Sequence, residues 1–223
     1  MWWKEKHPGK ITGCVNFKDR RTNTSLKNFN KDAKMNEGGN MADKVNKGIN
    51  KESFFNAYYF AFKAHEGQTR IGGERYVNHP YRVALRTESF FPSNEPLVLS
   101  AMLHDVLEDT EVGSGWMNDM FGFKVTQYVV YLTKTPPSEG TNRMSRYIKD
   151  LQRLKNVIPE IESVKLIDRL DNLKGSEVFD RRFLKVYYAE SVLMLNMLTR
   201  AESDLRDELR DVLYTMSESY KFN

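Results

Sequence analysis

The sequence predicts an all-α protein, and three observations carry that expectation. From residue 51 onward, apolar residues recur at helical spacing; strand-like alternation is almost absent; and clusters of Pro, Gly and Asn punctuate the periodic stretches. The first stretch, KESFFNAYYFAFKAHEG, sets Phe54, Phe55, Tyr58, Tyr59 and Phe62 as an aromatic stripe expected in the core, closed by Gly67. Pro80 suits the first turn of a second helix running through Val83 and Leu85 to about Phe90. FPSNEP is a cap and breaker cluster, and it opens LVLSAMLHDVLED, a nearly all-apolar helix that must be central. Next come a short helix around WMNDMF, a helix FKVTQYVVYLTK, the loop TPPSEGTN and a helix RMSRYIKDLQRLKNV. Pro159 starts a further helix with Val164, Ile167 and Leu170 on one side and Gly175 as its stop. Amphipathic helices at about 180–200 and 202–219 end the pattern, with no internal repeat and no Gly-rich phosphate loop.

Composition narrows the class. The 223 residues are 40% hydrophobic and 29% charged, the profile of a globular chain with one domain and an appendage. A single cysteine, Cys14, cannot build an intrachain disulfide framework, so a reducing compartment is expected. No stretch approaches the roughly 20 apolar residues of a membrane span, and MWWKEKHPGK has no apolar secretion segment, so the expected location is the cytoplasm and no membrane partner is expected. The net charge of +4 is unevenly spread: residues 1–50 hold 11 Lys/Arg against 5 Asp/Glu, whereas residues 51–223 hold 23 against 25. The basic character belongs to an Asn-, Lys- and Gly-rich extension, 1–50, read as disordered, and 51–223 is read as the folded domain. A nucleic-acid partner is therefore not expected.

Chemistry concentrates in a few residues. His104 and Asp105 lie inside the most apolar stretch, where an ionised carboxylate costs several kcal/mol unless paired or bound to a cation. Glu108 and Asp109 follow at i+4 of His104 and Asp105, crowding three acids and an imidazole into about one turn. A cation relieves that crowding. His79 in NHP and Asp168 in VKLIDRLDN, with Asn172 four residues on, complete two imidazoles and two carboxylates, a donor set that suits Mn(II), Fe(II) or Zn(II). His65, near a helix-ending Gly, reads as a cap or pocket wall rather than a ligand; Arg143 and Arg146 read as solvated, and Trp116 and Met117 as packing.

HEGQTRIGGERYVNHP, LSAMLHDVLEDT, MFGFKV before LTK, and VKLIDRLDNL occur in an order and spacing that spell a family. Over about residues 51–200 the chain resembles the HD-domain alarmone hydrolases: the hydrolase half of the RelA/SpoT enzymes and the stand-alone Mesh-type enzymes. The resemblance implies an HD-domain helical bundle around a metal site, with His79, His104, Asp105 and Asp168 as ligands, usually to Mn2+. It implies Glu108 and Asp109 as the pair that positions or activates the attacking water, and Arg70 and Asn172 as nucleotide contacts. Lys174 is a further expected substrate contact, beside Gly175, which stands where the family has threonine. Ile71 departs from the lysine that commonly follows the matching arginine. The expected activity is metal-dependent hydrolysis of the 3′-pyrophosphate of guanosine tetra- and pentaphosphate, a small-molecule nucleotide. The alternatives are another HD-type nucleotide phosphohydrolase and a non-catalytic nucleotide-binding regulator.

Overall fold

The structure, a computed structural model, describes residues 48–137, 139–140 and 142–221; residues 1–47, most of the extension expected to be disordered, lie outside the described residues. The described residues fall within one compact unit, Lys44–Asn223. Among them there is no strand, only an isolated antiparallel bridge between Thr69 and Arg75, and no helix is long and apolar enough to cross a membrane.

Helix α1 spans Lys51–Ala64, and the Asn50 side chain caps it by accepting from the Glu52 and Ser53 amides at 2.9 and 3.3 Å. Its buried line is Phe54, Ala57, Phe60 and Ala61. The expected aromatic stripe is thus corrected: of its five members only Phe54 is buried, and Phe55, Tyr58, Tyr59 and Phe62 are half-buried. Helix α2, Asn78–Phe90, starts at the NHP motif and buries His79 in its first turn.

Asn94 caps α3, Glu95–Leu103, whose residues from Leu97 to Leu103 are all buried. Each large aliphatic side chain there contributes about 1.5–3 kcal/mol by leaving water. The expected single helix through residue 109 is not formed. The chain turns at His104 and Asp105 before a four-residue helix α4, Val106–Asp109. The cause is local: His104 Nδ1 bonds the Ala101 carbonyl at 2.8 Å, competing for an acceptor that a continuing helix would use.

Helix α5, Ser114–Leu132, joins the two helices expected there across Gly122, whose φ of 80° requires glycine. Met117 is buried as expected, whereas Trp116 is exposed because it points outward from the first segment. Helix α6, Arg143–Leu154, buries Tyr147, Leu151 and Leu154 at i, i+4 and i+7. Helix α7, Pro159–Lys174, is buried on nearly every side, a 3-10 turn follows at Ser176–Val178, and α8, Arg181–Met197, and α9, Ser203–Tyr220, complete the fold.

Helix α3 packs on α1, α2 and α5, while α7 meets α2, α5, α8 and α9. These two largely buried helices form the spine, and α2 touches both. Charge inside the spine is matched. Glu162, fully buried, accepts from Arg200 Nε at 2.7 Å and from the Arg200 amide at 2.9 Å. Arg143, expected to be solvated, instead donates from Nε and Nη2 to buried Glu190 at 2.6 and 3.0 Å and lies over the Phe183 ring. Its partner is 47 residues away, so no local pattern reveals it.

Candidate metal centre

Three places on and beside the spine deliver side chains to one point: the first turn of α2, the α3–α4 junction and the middle of α7. Ligand-type atoms of His79, His104 and Asp105 all lie within 4.8 Å of one another. Asp168 Oδ1 lies 3.2 Å from His79 Nε2 and 3.6 Å from His104 Nε2. Asp105 approaches the same nitrogens at 3.7 and 3.2 Å.

The hydrogen-bond pattern assigns the tautomers. His79 Nδ1–H donates to Asp171 Oδ2 at 2.7 Å and His104 Nδ1–H donates to the Ala101 carbonyl at 2.8 Å. In its neutral form each ring therefore presents its Nε2 lone pair to the cluster, where carboxylate oxygens already face it. His104 Nε2 is buried with no hydrogen-bond partner. Acceptors facing acceptors in a buried site call for a positive charge, and separations of 3.2–3.7 Å suit ligands sharing one cation at about 2.1 Å. The residues fit a divalent metal.

Electrostatics agree. Burial alone would lower the His104 pKa, yet Asp105 and Asp168 outweigh it and raise it to about 9, so with no cation bound a proton on His104 supplies the positive charge that the carboxylates call for. Burial would raise both carboxyls, but the imidazoles hold Asp105 down at about 2, while Lys165 and the imidazoles hold Asp168 well below the usual range. Lys165 Nζ sits 3.1 Å from Asp168 Oδ2, and Asn172 Nδ2 donates to Oδ1 at 2.6 Å. Arg70 Nη2 in turn donates to Asn172 Oδ1 at 2.5 Å, so two expected nucleotide contacts form a chain ending on Asp168.

The two acids after the junction are unlike each other. Glu108 Oε1 accepts from Lys134 Nζ at 2.7 Å. Asp109 Oδ2 instead lies 2.7 Å from the Tyr76 hydroxyl, which is also 3.0 Å from Asp105 Oδ2. Burial first, then Asp105 and Glu108, push the Asp109 carboxyl up to about 6.

Lys174 does not join this group. Two residues beyond Asn172, about 200° round the helix, it is exposed in the last turn, and its charge is felt by Glu208 on α9. The expected substrate contact there lies apart from the residues that converge. Sequence reasoning also missed Asp171, Tyr76, Lys134 and Lys165. Asp171 orients His79 and is gripped by Arg82 Nε and Nη2 at 2.8 and 2.9 Å. Its position three residues after Asp168 was the available signal. Lys165, three residues before Asp168 on the same helix, offered the same signal, whereas Tyr76 and Lys134 reach the cluster through tertiary approach.

The HD domain family model matches residues 57–192. A guanosine-3′,5′-bis(diphosphate) 3′-pyrophosphohydrolase of Aquifex aeolicus (strain VF5) is 34% identical over 128 residues, 57% of this chain and 18% of that protein. The bifunctional (p)ppGpp synthase/hydrolase SpoT of Escherichia coli (strain K12) is 32% identical over 131 residues, 56% of this chain and 18% of its own length. The chain thus spans about a fifth of these curated relatives. A solved structure of a metazoan ortholog of SpoT, described as hydrolysing ppGpp and playing a role in starvation responses, has a TM-score of 0.64 at 22% identity, over 74% of this chain and 95% of that one. The family match runs from α1 into α8 and encloses every element that feeds the cluster, and the chain belongs to the HD domain family.

Proposed function

We propose that this chain is a cytoplasmic, metal-dependent phosphohydrolase that removes the 3′-pyrophosphate of guanosine tetra- and pentaphosphate, giving GDP or GTP and pyrophosphate. The observation that carries the reading is the convergence of His79, His104, Asp105 and Asp168 with an acid pair one turn beyond. The named activity of the relatives supplies the substrate class.

In this reading those four residues hold one divalent cation, and the mixed N2O2 donor set together with the resemblance favours Mn2+. When bound, the cation supplies Lewis-acid polarisation of a phosphoryl oxygen. Asp109 accepts the proton of the attacking water, and a carboxyl raised to about 6 is a better base near neutral pH than an ordinary one. Glu108 stands beside it, tied to Lys134, and Tyr76 orients the Asp109 carboxylate. The water oxygen passes to the pyrophosphoryl group, the bond to the ribose 3′-oxygen breaks, and that oxygen leaves carrying a proton. Arg70 offers a guanidinium to phosphate or base and, through Asn172, links the nucleotide to Asp168.

Ile71 favours a second reading, hydrolysis of a different nucleotide phosphate. It is exposed beside Arg70, so the expected second cation is replaced there by an apolar side chain. Assaying Mn2+-loaded protein against 3′-pyrophosphate guanosine and adenosine nucleotides, with ordinary nucleoside tri- and monophosphates as controls, tests both. Preferred release of pyrophosphate from the guanosine compounds is expected; turnover confined to the controls or to adenosine nucleotides moves the assignment to the second reading.

A further inference from the structure

The segment between α1 and α2 grips the centre from two sides. Its hairpin is closed by Tyr76 N–H to the Gln68 carbonyl at 3.1 Å and Arg70 N–H to the Glu74 carbonyl at 2.8 Å, with Gly73 at a φ of 83° making the turn. Arg70 reaches Asp168 through Asn172, whereas Tyr76 reaches Asp105 and Asp109 directly. Behind Tyr76 lies His65, a residue that belongs to neither the converging ligand group nor the acid pair.

His65 ends α1 and is 97% removed from solvent, its relative exposure being 3%. Its ring stacks on Tyr76 with centroids 4.5 Å apart and planes 16° from parallel. Its Nδ1–H donates to Gln68 Oε1 at 2.9 Å, and Gln68 Nε2 donates to the Asp109 backbone carbonyl at 3.0 Å. The remaining nitrogen, Nε2, is buried with no hydrogen-bond partner. Two paths therefore leave one imidazole and arrive at the same residue: through the Tyr76 hydroxyl to the Asp109 carboxylate, and through the Gln68 amide to the Asp109 backbone. A buried polar ring in this position is placed to fix an orientation, as outer groups do around metal ligands.

We propose that His65 is a positioning residue which, through Tyr76 and Gln68, sets the Asp109 carboxylate relative to Asp105. The inference rests on the reading of Asp109 as the base. His65 touches neither substrate nor cation; its effect on the reaction passes through Tyr76 and Gln68.

The test is a double-mutant cycle on full-length protein. His65→Ala and Tyr76→Phe should each lower kcat roughly 10-fold or more, with KM changed less than about twofold and one equivalent of Mn2+ still bound. His65→Phe keeps the stack but breaks the Gln68 arm, so its loss should be smaller, and it serves as the folded control if the alanine variant fails to fold. The double variant should fall short of the product of the single effects, because the residues act in series. A second readout needs no substrate. In protein carrying 13C-labelled aspartate carboxyls, with the Asp109 signal assigned by its loss in Asp109→Asn, both His65→Ala and Tyr76→Phe should move its titration midpoint upward. Loss of the Tyr76 hydrogen bond is the shared cause. A wild type that cleaves no nucleotide would remove the function proposed above while leaving this titration to decide the positioning role. Unmoved midpoints, fully multiplicative kinetic effects, or loss of Mn2+ in the His65 variants would overturn it.

Discussion

Two acids on helix α7, Glu162 and Asp168, are held on opposite plans. Near its start, the Glu162 carboxylate meets only donors: the Arg200 guanidinium and the Arg200 amide. Four residues after Val164, Asp168 meets two imidazole lone pairs as well as its donors Lys165 and Asn172. The first site is complete as the chain folds it. The second is a concentration of acceptors that a cation completes. Burial of charge alone therefore does not mark a functional site in this fold; what marks it is burial of lone pairs that the chain leaves facing one another.

The sharpest way to break the comparison is to change one residue at each place. Asp168→Asn should lower activity by about 10³-fold or more, corresponding to several kcal/mol of transition-state stabilisation lost with the cation. Steady-state kinetics beside metal analysis checks it. Glu162→Gln, in the matched Glu162–Arg200 group, should leave metal content unchanged but cost about 2–3 kcal/mol of stability, below the full figure for a buried pair because the Arg200 side chain is part-exposed. Denaturant titration reads that directly.

Asp109→Asn should lower kcat by roughly 10²-fold and remove the acid limb of the pH–rate profile, which in the wild type should fall below about pH 6. The stability effect has the opposite sign. Because the folded-state pKa is raised above the usual 3.8, ionising Asp109 costs the folded protein stability, a cost absent below the unfolded pKa and complete above about pH 6. Metal-free Asp109→Asn should therefore melt higher than wild type at pH 7 and equally near pH 3.5. The smallest contrast sets Arg70→Ala against Lys174→Ala: the first should raise KM roughly 10-fold with little change in kcat, and the second should alter neither by more than about twofold.

Much of this centre was legible in the sequence. His104 and Asp105 stood out because polar residues interrupt an apolar run, and Asp168 because it shares a helix face with Ile167. The break between α3 and α4 was not legible, since it depends on which carbonyl the His104 ring takes. Tyr76 was missed because its partners come 29 and 33 residues later, across a turn. Arg143 looked solvated for the same reason, and the aromatic stripe of α1 was misplaced because the buried line runs through Phe54, Ala57, Phe60 and Ala61. Periodicity locates elements; contacts between distant segments decide which polar residue is satisfied.

The central claim is that the chain leaves room for one cation at the His79, His104, Asp105 and Asp168 cluster. Calorimetric titration of Mn2+ into metal-free wild type, His104→Ala and Asp168→Asn measures it most directly. The account predicts one equivalent bound by wild type, with a higher Tm on binding, and at least about a 100-fold weaker affinity in each variant. Wild type that binds no ion, or variants that bind it as tightly as wild type, would contradict it.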